Sequence, residues 1–155
     1  MTTIKYIKGD ATAPQGDGPK IIAHGCNSIG AWGAGFVLAV SKRWKHPERE
    51  YRAWYKKVGR IPLGLIQLVR VEEELSVCNC IIQDSIGPFD GIPRVEYPAV
   101  RKCFTLVAAY AVILDASIHM PRVGCGLAGG TWGQIEPIIR DEFCAKEIQV
   151  TVYDL

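Results

Sequence analysis

His24, Cys26 and Asn27 close a short apolar run and lead directly into glycines at 30, 33 and 35. A second cluster, Gly124-x-Gly126-x-x-Gly129, follows the segment HMPRV at 119–123 and holds Cys125. Glycines spaced this way let a phosphate or ribose reach backbone N–H groups without meeting a Cβ. Where a helix begins just beyond, its free amides and dipole favour an anion. The two clusters therefore predict one phosphate-bearing ligand clamped from both sides. Cys26 and Cys125 lie in or beside these loops without an accompanying arginine cradle, and no run of carboxylates or histidines suggests a metal cage. A positioned water is then the expected attacker in any hydrolysis. His24 reads either as a satisfied core histidine or, at the mouth of the cleft, as the group that orients that water or relays its proton. The second role is the one expected of it here.

Strand-to-helix junctions must hold these loops, and the sequence supplies them. Residues 3–8 are β-branched and aromatic, with Gly9-Asp10-Ala11-Thr12 as an exit loop, and residues 20–24 form a continuous apolar run suited to a central buried strand. From 34 to 44, Phe36, Val37, Val40 and Trp44 recur at helical spacing, with Lys42 and Arg43 in the last turn. Pro47 opens a second helix that Gly59 stops. Residues 64–71 and 76–83 predict a hairpin across Glu72-Glu73-Glu74, which reads as a solvated turn. A loop at 85–94, a helix at 97–113, a strand at 117–120, a helix at 133–143 and a strand at 148–153 complete the chain. The order β, β, α, α, β, β, α, β, α, β predicts a three-layer α/β/α sandwich around a mixed sheet.

A chain of 155 residues with 48% apolar and 22% charged residues is one domain, 1–155. Its net charge of +2 offers no basic stripe, so nucleic-acid binding by electrostatics is not expected. No apolar run of the roughly 18 residues needed to cross a membrane occurs, and no charged-then-apolar leader. The six cysteines match neither a disulfide framework nor zinc-site CxxC pairs. A reduced, cytoplasmic monomer without cofactor or metal is expected. Gly124-x-Gly126-x-x-Gly129 matches the dinucleotide fingerprint, with Asp154 at the end of the next strand, but the further βαβ units of that fold have no room. No Gly-Lys-Ser/Thr follows either loop, which excludes a P-loop.

The segments KYIKGDATAP, IIAHGCNSIGAWGAGFVLAV, MPRVGCGLAGGTWGQIEPII and VTVYDL, in that order and over the whole chain, resemble the macrodomains. The likeness is to the branch with the yeast-type ADP-ribose 1″-phosphate phosphatase and the terminal ADP-ribose protein glycohydrolase. It implies an α/β/α macrodomain that binds ADP-ribose or ADP-ribose 1″-phosphate at the carboxyl ends of the central strands. By this resemblance Asp10, between Gly9 and Ala11, accepts from the adenine amino group, and Tyr153 lines the adenine pocket. Asn27 holds the distal ribose and shares the catalytic role with His24. Trp32, Gly33, Ala34, Gly35 and Phe36 form one side of the diphosphate site, and Val123, Gly124, Cys125, Gly126, Leu127, Ala128 and Gly129 the other. Trp132 reads as lid or core, and Phe89 as a flank of the distal ribose. The glycohydrolase pattern has a lysine where this chain has Gln83 and an aspartate where it has Ala128. The phosphatase pattern HSCNCNGSWGGG is similar to HGCNSIGAWGAG here, so phosphatase is expected over glycohydrolase or a non-catalytic reader.

Overall fold

The structure, a computed structural model, describes residues 1–87 and 92–155. Phe89 lies outside the described residues. Six strands form one sheet: β1 (Ile4–Lys8), β2 (Lys20–Asn27), β3 (Ile66–Glu72), β4 (Leu75–Gln83), β5 (Ser117–Met120) and β6 (Val150–Asp154). Their spatial order is β1-β6-β5-β2-β4-β3, and every neighbouring pair is parallel except the β3–β4 hairpin at one edge.

β2 runs through the middle because its side chains are apolar on both faces. Ile21 and Ala23 join a core with α3 (Tyr97–Leu114) and α4 (Trp132–Glu142). Ile22 and Cys26 join a smaller core under α1 (Phe36–Arg43) and α2 (His46–Val58). The result is the three-layer sandwich with a mixed sheet that the element order predicts. α3 is long and apolar enough to cross a membrane by composition alone, but Val100, Phe104, Val107 and Ala108 are packed into the core.

Most elements shift by one to three residues at an end, and two of these shifts have a local cause. The first helix begins at Phe36, because Gly35 stands at φ 82°, outside the helical region. The last strand begins at Val150, because a 3-10 turn at Cys144–Lys146 and Glu147 at φ 61° take up the residues before it.

The parallel register brings the carboxyl ends of five strands to one edge, at Lys8, Asn27, Gln83, Met120 and Asp154. The loops that follow them gather there, where open α/β sheets bind ligands.

Candidate ligand cleft

At that edge lies a cavity of about 640 Å³, walled by Gly9, Asp10, Phe36, Pro121, Arg122 and Tyr153. The size suits a nucleotide-like molecule. Asp10 is half-exposed at its rim. Its Oδ1 accepts from the Thr12 amide at 2.8 Å and from the Thr12 hydroxyl at 2.7 Å, while Oδ2 stands 3.8 Å from the Arg43 guanidinium. The Thr12 hydroxyl bond, then the backbone bond and Arg43, hold its carboxyl below the ordinary value against the cost of burial. One oxygen is thereby fixed and the other left to meet a donor.

Tyr153 forms the floor. Its hydroxyl accepts from the Gln15 amide at 2.9 Å and is hydrogen-bonded to His119 Nδ1 at 2.6 Å, and His119 Nε2 is hydrogen-bonded to the Ser117 hydroxyl at 2.7 Å. This buried chain locks the ring in place beneath Gly9. On the wall, Arg122 pairs with both oxygens of Asp154 at 2.8 and 2.9 Å and lies about 5 Å from the ring centres of Tyr6 and Trp132.

Beyond Phe36 the two glycine loops meet: a Cβ on Gly35 would stand 3.4 Å from Leu127 Cδ1. Among the described residues, the amides of Gly33, Ala34, Gly35 and Phe36 donate to nothing, and neither do those of Gly126, Leu127 and Ala128. Cβ atoms on Gly33 and Gly126 would meet no atom within 4 Å, so both backbones are bare on that side. The second loop holds its shape by closing on itself. Gly130 N–H donates to Gly124 at 2.8 Å, and a Cβ on Gly130 would strike that same carbonyl at 2.5 Å. Free amides on two loops that meet are of the kind that can receive an anion.

No family model matches the chain. The ADP-ribose 1″-phosphate phosphatase of Meyerozyma guilliermondii is 35% identical over 177 residues, covering 99% of each protein. The macrodomain protein of Streptomyces coelicolor is 47% identical and superposes with a TM-score of 0.86 over 99% of each chain. The chain belongs to the macrodomain family. A protein of unknown function from Bacteroides thetaiotaomicron is 55% identical, with a TM-score of 0.95 over 99% of this chain and 98% of that one. The macrodomain spans only 16% of the length of the Danio rerio chromodomain-helicase-DNA-binding protein 1-like, to which it is 26% identical over 160 residues.

Within this macrodomain the cavity gathers Gly9, Asp10, Ala11, Phe36 and Tyr153, and the two glycine loops face each other beyond it. Ala11, Val123, Ala128 and Tyr153 are buried, so the first three offer backbone only and Tyr153 its ring edge. Cys125 is half-buried, and burial pushes its thiol up despite Arg122, while burial also raises Cys26. Neither is an activated thiolate.

Three of the expected site residues lie deeper than the cleft surface. His24 does not reach the mouth of the cleft. It is 1% exposed on the α1/α2 face of β2, with its ring edge-on to Trp32 and tilted on Phe36. Its Nε2 donates to Asn79 Oδ1 at 2.6 Å, since the Asn79 amide nitrogen donates to Pro47 and Gln67. Burial holds it neutral, at about 4, against the raising effect of Asn79. Asn27 is 7% exposed and spends its amide on the loop: Nδ2 donates to the Ala31 carbonyl at 2.8 Å, and Oδ1 accepts from the amides of Ile29 and Ala31. The Tyr51 hydroxyl is 2.5 Å from its carbonyl oxygen and 2.9 Å from Oδ1. Asn27 thus shapes the first glycine loop, with one Nδ2 hydrogen not engaged by these bonds. Trp32 is 3% exposed, stacked near Tyr51, with its N–H donated to Ser41 at 2.7 Å, so it supports the loop from below.

Gln83 donates to the Ser85 carbonyl at 2.9 Å, and Ala128 is buried, so neither site offers the amine or carboxylate of the glycohydrolase pattern. The sequence reading omitted Pro121, Arg122 and His119. The signal for them was the segment HMPR, which carries β5 into the second loop at the ligand edge.

Proposed function

We propose that this macrodomain binds ADP-ribose and hydrolyses ADP-ribose 1″-phosphate to ADP-ribose and phosphate. The observation that carries the reading is the pair of glycine loops, which meet at Gly35 and Leu127 with free amides on both, next to a cavity with the Asp10 carboxylate at its rim. That arrangement fits adenine at Asp10 and Tyr153, the diphosphate between the loops, and the terminal phosphate past Gly35. The phosphatase name of the 35% identical relative supports the same assignment.

Chemically the cleft supplies position and charge stabilisation. Free amides bind the nonbridging oxygens while a water attacks phosphorus in line with the ribose oxygen; the bond to that oxygen breaks, the water oxygen stays on the phosphate, and a proton of the water passes to the departing ribose oxygen. His24, buried away from the cleft, supplies no proton relay, so the roughly 10²–10⁴-fold help of general acid–base catalysis is not available from it. Turnover is therefore expected to be slow. Incubation with ADP-ribose 1″-phosphate, followed by chromatography, should show ADP-ribose and phosphate in equal amounts. The burial of His24 favours one second reading, a module that holds ADP-ribose without turning it over. Tight calorimetric binding with no phosphate release would establish that reading.

Asp10→Asn tests the adenine end. The amide keeps an oxygen for Thr12 but turns a donor toward the base, so ADP-ribose affinity should fall by the roughly 1.5–3 kcal/mol of a hydrogen bond to a charged group. The parent should also discriminate against the inosine analogue, which lacks the amino donor. Equal affinity for the two ligands would remove Asp10 from base recognition.

A further inference from the structure

Residues 42–60 hold eight of the chain's 18 lysines and arginines but two of its 16 acidic residues. The net charge of +2 conceals this, because the rest of the chain is acidic. On α2 the cations fall in register. Lys45, Arg49, Arg52 and Lys56 follow one another at intervals of four, three and four residues, so they stand in one stripe about 16 Å long. All four are exposed, opposite Pro47 and Tyr51, which face the core.

Such a stripe on a globular helix is ordinarily balanced by carboxylates one turn away. Here Glu48 pairs with Arg52 at 2.8 Å and also feels Lys45, whereas the side chains of Lys45, Arg49, Lys56 and Lys57 make no hydrogen bond or ion pair among the described residues. Like charges one turn apart destabilise a helix, so the fold gains nothing from the arrangement. The stripe also leads somewhere. At the carboxyl end of α2, Tyr55 packs against Gly30 of the first glycine loop, Arg60 donates to the Asp84 carbonyl at 2.8 Å, and the Ile61 amide donates to Ser28. The basic face therefore ends beside the loops that follow β2 and β4, at the side of the cleft away from Asp10.

We infer that the α2 face binds single-stranded nucleic acid, with its phosphates along Lys45, Arg49, Arg52 and Lys56 and a base against Tyr55. One cation per helical turn matches a polymer with one charge per repeat. Tyr55, 37% exposed, adds an aromatic surface on which a base can stack and for which an acidic peptide has no use. A membrane surface is disfavoured because the helix has already buried its apolar side. The inference does not depend on the identity of the ligand in the cleft.

The test is fluorescence anisotropy with a short labelled single-stranded oligonucleotide over a range of salt concentrations. The parent should bind with a steep salt dependence. In the triple variant Lys45→Gln, Arg49→Gln, Lys56→Gln, the slope of log affinity against log salt should shrink by about 2, at about 0.7 per phosphate released. Tyr55→Leu should weaken binding several-fold with the slope unchanged. Calorimetry with ADP-ribose should give the parent value for the triple variant, since none of its three positions lines the cavity. Absence of salt-dependent binding by the parent, or an unchanged slope in the folded triple variant, overturns the inference. Polyglutamate binding as tightly as the oligonucleotide, with Tyr55→Leu silent, overturns it in favour of an acidic protein partner.

Discussion

Gly126→Glu is expected to lower ADP-ribose affinity by about 10³-fold while the protein stays folded. A side chain at 126 leaves the backbone into open space, because a Cβ there meets no atom within 4 Å. The new carboxylate would then stand where the diphosphate must lie against the amides of Gly126, Leu127 and Ala128. At an effective dielectric constant of about 20, one like charge at about 4 Å costs roughly 4 kcal/mol, which is about three decades in affinity. Gly33→Glu should behave the same way from the opposite loop, for the same steric reason. Gly35→Glu is the poorer test, since φ 82° at that position strains any side chain and mixes a folding defect with the electrostatic one. Calorimetry reads the affinity and thermal denaturation reads the fold. Parent-like affinity in a folded Gly126→Glu protein would mean that the ligand does not pass between the loops.

The sheet was legible because burial imposes period-two or continuous apolar runs; those at 20–24 and 76–83 needed only their ends adjusted, and 117–120 stands as read. The glycine loops were legible because the approach of an anion requires bare backbone at a helix start. The burial of His24 is legible in the strand itself. Residues two apart share a face, so Ile22, His24 and Cys26 point the same way, and the two apolar neighbours mark that face as core. Asn27 is a different case. A polar residue ahead of glycines reads equally as ligand contact or loop organiser, and only the positions of the Ile29, Ala31 and Tyr51 donors decide it. The Tyr153–His119–Ser117 chain joins residues 36 positions apart across parallel strands, a pairing that no local pattern encodes. The basic face of α2 escaped notice because charge was summed over the whole chain, whereas a partner meets one helix face.

Lowering the pH from 7 to 4 is expected to destabilise the fold by about 3 kcal/mol for each of two buried histidines, at about 1.36 kcal/mol per pH unit per group. Both His24 and His119 are held neutral, at about 4 against an ordinary 6.5. Burial is the main cause in each case, opposed at His24 by Asn79 and reinforced at His119 by Lys20. The sign follows from proton counting. Between pH 6.5 and 4 the unfolded chain binds protons that the native protein refuses, so the stability is complete above 6.5 and is lost as the pH falls toward 4. The carboxylates act in a different window. Asp10, Glu48, Glu136 and Asp154 are lowered chiefly by hydrogen bonds from Thr12, Ser41, Tyr6 and Arg122 respectively, and their contributions persist above the ordinary carboxylate range and fall away only below it. Urea midpoints measured between pH 8 and 4.5 therefore isolate the histidines. His119→Gln, which keeps a hydrogen-bonding group beside Ser117 and Tyr153, should remove about half of the slope in that interval. A midpoint that stays level from pH 7 to 5 in the parent would show that both rings take up their protons without unfolding the protein, and the burial assigned to His24 beneath Trp32 and Phe36 would be the first feature to abandon.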